Sequence, residues 1–187
     1  MLPVLFDLPK NPHSIGSFKV ERWATPAEGM VLYTLIQAHQ ICSYLECGTA
    51  NGYSAMWAMV AGVKNVITWD IHERKKIWNE MPELYEWTQK WGNDDQHCRC
   101  ITGSFSEGVG TVQAPGPRLF FIDGHHTRRA VRRDWSAVRP LMEPGDVVVF
   151  HDAREECVLG LCEHLSSVRG YRGGIVRTER DMGVYFA

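Results

Sequence analysis

The sequence lacks most of the features that would settle its class at a glance. It has no run of like charge, and 20 Lys plus Arg against 22 Asp plus Glu leave a formal net charge of -2. The electrostatic footprint of a protein that grips a nucleic-acid backbone is therefore missing. No stretch approaches the roughly 18 apolar residues of a membrane span. Met1 to Lys10 lacks the basic and then apolar pattern of a secretory leader, so a cytoplasmic protein is expected. The six cysteines, Cys42, Cys47, Cys98, Cys100, Cys157 and Cys162, include no Cys-x-x-Cys pair. That sets aside a zinc ribbon or a thioredoxin-like centre and leaves reduced thiols as the expectation. His97, Cys98 and Cys100 lie close together, but beside a predicted strand and with no fourth ligand in view. No low-complexity tract occurs, and 44% apolar with 22% charged residues is the balance of an ordinary folded domain. The 187 residues suffice for one core, so a single domain over 1–187 is expected.

What is present is an alternation of strands and helices. Thr25-Pro26-Ala27-Glu28 has the form of a capping box with proline at the first helical position, and Val31, Leu32, Leu35 and Ile36 follow at helical spacing to about His39. Residues 41–46 read as a short buried strand ending in Glu46. Gly48 to Gly52 then turns the chain into a second helix from Ser54. Residues 65–70 form the next strand, ending in Asp70 after a crossover short enough for a βαβ unit. A helical pattern spans Glu73 to Gly92, and its aromatics Trp78, Tyr85, Trp87 and Trp91 read as core packing. Residues 100–103 are a weak strand, whereas 118–123 are a strong one ending in Asp123. The apolar run 147–150 delivers His151 and Asp152. A helix over 157–165 and a hairpin of 174–177 with 183–186 close the chain. The pattern predicts a Rossmann-like α/β fold: a doubly wound, mostly parallel sheet with a C-terminal antiparallel hairpin and ligands at the carboxyl ends of the strands.

Glu46-x-Gly48-x-x-x-Gly52 lies where a helix N-terminus offers free backbone N–H groups to a ligand. Its glycine spacing fits neither the dinucleotide pattern nor a phosphate loop, so a phosphate-free cofactor suits it better. Tyr44-Leu45-Glu46-Cys47-Gly48-Thr49-Ala50-Asn51-Gly52-Tyr53-Ser54 resembles the cofactor motif of class I S-adenosylmethionine-dependent methyltransferases. Phe121 to His126, Met142 to Asp146 and Val149 to Asp152 extend the resemblance to the small family that includes catechol-type O-methyltransferases and cephalosporin hydroxylase-like proteins. It spans roughly residues 25 to 187.

The resemblance implies a methyltransferase that transfers the methyl group of S-adenosylmethionine to a hydroxyl of a small-molecule acceptor. Nucleic acid and membrane are not expected as partners, and a homodimer is the candidate assembly. Residues 1–24 become an N-terminal extension that can contribute to the acceptor site. Glu46, Gly48, Thr49, Asn51 and Gly52 are implied at the methionine end of the cofactor, Asp70 at the ribose, and Ser104 and Phe105 at the adenine, with Ser54, Ile71 and Asp123 as further cofactor-binding residues. Metal-dependent members of the family hold a divalent cation at the places of Asp123, His151 and Asp152. A His-Asp pair suits a transition metal better than magnesium, which prefers oxygen donors. His126, His151 and Asp123 are the catalytic candidates, with a histidine as general base where no metal acts. Strand-end aspartates often only cap the next helix, but Asp123, His126, His151 and Asp152 together at one sheet edge point to a site. Arg128, Arg129, Arg132 and Arg133 read as a solvated helix face. An NAD-type oxidoreductase on the same architecture and a non-catalytic cofactor-binding relative are the competing functions.

Overall fold

The computed structural model describes residues 24–50, 52–72, 97–168 and 170–187. The expected helix over Glu73 to Gly92, with its aromatic stripe, and nearly all of the N-terminal extension lie outside those residues. Helix α1, Pro26–His39, begins as its sequence predicts: Thr25 Oγ1 accepts from Glu28 N at 3.4 Å, and Glu28 Oε2 accepts from Thr25 N at 2.6 Å. It ends on Gln40 in the left-handed conformation, φ 51°. Strand β1, Ser43–Cys47, leads through the glycine turn to α2, Tyr53–Val60, and β2, Asn65–Asp70.

After β3, His97–Thr102, come the one-turn helix α3, Phe105–Gly108, and β4, Arg118–Ile122. Helix α4, Arg128–Val138, precedes β5, Val147–Phe150, and α5, Glu156–Ser167, precedes the hairpin of β6, Arg172–Val176, with β7, Met182–Phe186. The seven strands lie in the order β3-β2-β1-β4-β5-β7-β6. Strands β1 to β5 pair in parallel, and β7 runs antiparallel to both β5 and β6. The antiparallel strand therefore sits one place in from the edge, and β6 forms the edge itself. Among the described residues no helix is long and apolar enough to cross a membrane.

Successive strand residues serve opposite faces of the sheet, as the two-residue period requires. Leu119 and Phe121 of β4 pack with Leu32 and Ile36 of α1 and Ala55 and Ala58 of α2. Phe120 and Ile122 pack on the other face with Val131 and Trp135 of α4 and Leu161 and Leu165 of α5. Truncating a fully buried ring such as Phe120 or Phe121 in a core of this kind costs about 3–5 kcal/mol. Because β1 leads outward to β2 on one side and is flanked by β4 on the other, the strand order reverses between β1 and β4. A ligand crevice forms at such a reversal, outside the carboxyl ends of the strands.

Candidate functional site

The crevice is there, a cleft of about 280 Å³ whose walls include Gly48, Asp70, Ile71, Ser104, Phe105 and Asp123. Its floor is the turn after β1. Gly48 N and Thr49 N both donate to Trp69 O, at 2.8 and 3.1 Å, and Asp123 N donates to Cys47 O at 2.9 Å. Gly48 has φ +96°, and a Cβ there would collide with the Asp123 carbonyl oxygen, so the close approach of β1 and β4 requires glycine. Ala50 also adopts a positive φ of 41°. That turn is held by Asp70, whose Oδ2 accepts from Ala50 N at 3.0 Å and whose Oδ1 accepts from His72 N at 2.9 Å. Ile71 is 58% exposed at the rim, an apolar surface left open beside the cleft. Phe105 crosses the Trp69 ring edge-on at 5.4 Å between centroids, which joins that wall to the core.

Beneath the turn lies Glu46, fully buried. Its Oε1 accepts from Tyr44 Oη at 3.1 Å and from Ser54 Oγ, while its Oε2 has no hydrogen-bond partner. Burial pushes the carboxyl pKa up to about 8, with Asp123 and Asp70 adding to the rise and the Ser54 and Tyr44 hydroxyls offsetting part of it. A buried acceptor with one oxygen unmatched is a place where a cationic donor would be stabilised. The Thr49 hydroxyl, by contrast, is committed to Thr68 Oγ1 at 2.8 Å, so Thr49 shapes the turn with its side chain. Gly52, φ +71°, opens α2. Asn51 lies outside the described residues.

The second part of the site joins the ends of β4 and β5. His151 Nδ1 lies 3.1 Å from both Asp123 Oδ1 and Asp152 Oδ2, and its Nε2 lies 3.1 Å from Glu28 Oε2, close enough for charge attraction but not aligned for a hydrogen bond. His126 Nε2 lies 3.4 Å from the same two oxygens of Asp123 and Asp152. Burial opposes a charge on His151, but Asp123, Asp152 and Glu28 outweigh it and raise the imidazole pKa to about 12. Asp123 is also the main cause of the raised His126 pKa, against a smaller opposing effect of burial. Glu28 goes the other way: burial favours its neutral form, yet His151 and the Thr25 N–H hold it down to about 2. Asp152 sits in the left-handed region, φ 52°, a conformation that non-glycine residues seldom adopt and that aims its carboxylate at the cluster.

The structure thus brings Asp123, His126, His151 and Asp152 together as the sequence suggests, but leaves the two histidines unequally accessible. His151 is 1% exposed, so no acceptor can touch it, whereas His126 is about one-third exposed. Among the described residues, Asp123, His126 and Asp152 can each offer one ligand atom within 4.8 Å of the others, and His151, the ligand expected from the sequence, is not part of that trio. Among the cysteines, Cys98-Arg99-Cys100 is part of β3, and all six thiols are free. His125 is exposed at the cleft rim, and of the arginine run Arg133 also reaches the wall. Sequence reasoning missed Glu28, which it placed only in the helix cap. Its contacts with Thr178, Arg180 and His151 are 123 to 152 residues away along the chain, and no local pattern announces them.

Residues 45–153, more than half of the chain, match the family model described as a methyltransferase domain. No curated protein matches the sequence. Among solved structures, the O-methyltransferase TomG from Streptomyces achromogenes, in complex with SAM, is similar at 18% identity and TM-score 0.66, covering 88% of this chain and 81% of that one. The Bacillus cereus O-methyltransferase in complex with SAH is similar at 17% identity and TM-score 0.64, covering 87% and 82%. A SAH-bound methyltransferase from Podospora anserina gives 13% identity, TM-score 0.66, and coverage of 91% and 82%.

Proposed function

The chain belongs to the methyltransferase-domain family, and on that premise we propose that it transfers the methyl group of S-adenosylmethionine to a hydroxyl of a small-molecule acceptor. The observation that carries this reading is the cleft at the β1–β4 reversal. It combines a glycine turn without a phosphate cradle, a carboxylate on the ribose side and an unmatched buried carboxylate oxygen beneath. Those features suit a zwitterionic amino acid joined to a nucleoside. The family match argues against an NAD-type oxidoreductase, as does the glycine spacing. The free cysteines and the lack, among the described residues, of a membrane-crossing helix support a cytoplasmic protein.

Methyl transfer from a sulfonium needs a nucleophile in line and a destination for its proton. Asp123 closes the cofactor cleft and also faces His126, so the cluster adjoins the place where a methyl group would be presented. His126 is the only one of the two cluster histidines open to solvent, and the carboxylates of Asp123 and Asp152 strengthen it as a base. It takes the acceptor proton in this reading. A second reading rests on the donor set: one nitrogen and two oxygens within 4.8 Å fit a divalent transition ion. When bound, such an ion would supply Lewis-acid activation of the hydroxyl. Methyl transfer measured in excess chelator, with metal content by mass spectrometry, separates them. Transfer that survives assigns the proton to His126, and transfer that is lost and restored by manganese assigns the trio to the ion. No transfer to any of a panel of hydroxyl acceptors, with the cofactor bound, would favour the non-catalytic relative instead.

A further inference from the structure

Glu28 does more than a helix cap requires. The capping box needs a single oxygen for Thr25 N, and such boxes usually lie at a solvated helix end. Glu28 is fully buried and touches three separate parts of the chain. Its Oε1 accepts from Thr178 Oγ1 at 2.9 Å and from Arg180 N at 3.1 Å, both in the turn between β6 and β7. Its Oε2, besides accepting from Thr25 N, lies 3.1 Å from His151 Nε2. The opposite nitrogen of the same ring faces Asp123 and Asp152, and the Phe121 ring packs against the imidazole with 5.8 Å between centroids. A second route reaches the same place, since the Arg180 side chain lies 3.5 Å from Asp152 Oδ1.

We infer that Glu28 is a positioning residue of the transfer site: it fixes the far edge of the His151 ring and so sets where Asp123 and Asp152 stand in front of His126. An imidazole held at both edges and on one face has a single orientation, and two carboxylate oxygens share its near nitrogen. Releasing the far edge lets the ring turn, and Asp123 and Asp152 lose the donor that brings them together. The role rests on the transfer site proposed above, but the contacts that define it can be tested without turnover.

The test is long-range proton–nitrogen spectra of histidine-labelled protein, recorded for wild type, Glu28→Gln, Glu28→Asp and Thr178→Val. Glu28→Gln keeps the side-chain length and one accepting oxygen but cannot present oxygen on both sides. Glu28→Asp keeps the charge and draws back from His151. Thr178→Val removes a turn contact and leaves the His151 contact in place. Both Glu28 variants are expected to shift the ring resonances of His151 and also of His126, which Glu28 does not touch, whereas Thr178→Val leaves both unshifted. S-adenosylhomocysteine affinity by calorimetry should stay within twofold in all four proteins. Unchanged His151 and His126 resonances in both Glu28 variants would overturn the inference and return Glu28 to a cap alone. Failure of wild type to bind S-adenosylhomocysteine would instead count against the transfer reading, and the spectra would still decide the role of Glu28.

Discussion

The two edges of the sheet are built by opposite rules. At the amino end of β4, Asp146 is 1% exposed and fully matched: it accepts from Arg118 N at 2.7 Å, Arg118 Nε at 3.0 Å, Arg118 Nη2 at 2.6 Å and Glu143 N at 2.9 Å. At the carboxyl end, Glu46 Oε2 and His126 Nε2 are buried atoms without a hydrogen-bond partner, and Asp152 sits in the left-handed region. Buried polar groups in folded proteins are nearly always satisfied, so a concentration of exceptions marks a place shaped for something other than stability. One edge holds the domain together, and the other keeps bonding capacity in reserve for a ligand.

The same replacement at each edge should therefore have opposite consequences. Asp123→Ala is expected to lower the transfer rate by about 10²–10⁴-fold, the range for loss of positioned acid–base chemistry, in steady-state assays with radiolabelled S-adenosylmethionine. Asp146→Ala should cost about 3–5 kcal/mol of stability, because it removes the buried partner of the Arg118 guanidinium and leaves Arg118 N, Arg118 Nε and Glu143 N without their acceptor. Denaturant titration reads that loss, and S-adenosylhomocysteine affinity should stay within twofold in the folded protein. An Asp146 variant that lost affinity but not stability would erase the distinction between the edges.

Smaller effects sharpen it. Asp70→Ala should weaken S-adenosylmethionine binding by about 1–3 kcal/mol, the cost of leaving hydroxyl partners without a charged acceptor, measured by calorimetry. The binding should also depend on pH in a stated direction. Below its raised pKa of about 8 the free protein holds Glu46 protonated. A cationic ligand group that favours the ionised form must then expel that proton, so affinity should rise as pH rises toward about 8 and level off above it. Calorimetry near pH 7 in buffers of different ionisation enthalpy should show proton release on binding, and uptake would contradict the account. Smallest is Thr25→Ala, which should cost about 1 kcal/mol of stability through the lost cap and leave cofactor affinity unchanged.

Much of this was legible in the residues, for identifiable reasons. The Thr25–Glu28 cap, the strands over 65–70 and 147–150 and the strand-end positions of Glu46, Asp70 and Asp123 are local signals, and local propensity agrees with the fold at each. Strand β3 starts at His97, three residues before the apolar pattern suggests, because parallel pairing with Asn65 to Asp70 extends it through polar residues. Likewise β6 includes Arg172 and Gly173, poor strand formers, because they pair with Phe186 and Tyr185. The burial of His151 and the exposure of His126 depend on how the loops after β4 and β5 pack, and the Glu28 contacts depend on α1 folding back onto the last hairpin. Both are tertiary facts with no counterpart in sequence spacing.

The central claim is that the carboxyl-edge cleft binds S-adenosylmethionine. Titration of S-adenosylhomocysteine into the wild-type protein and into Gly48→Ala tests it most directly, because an alanine Cβ at residue 48 would push against the Asp123 carbonyl oxygen and deform the turn. Wild-type binding is expected in the micromolar to sub-millimolar range with a raised melting temperature, and the variant should bind about tenfold more weakly or worse. No heat and no melting shift with S-adenosylhomocysteine or S-adenosylmethionine in the wild-type protein, together with a clear response to NAD, would contradict it.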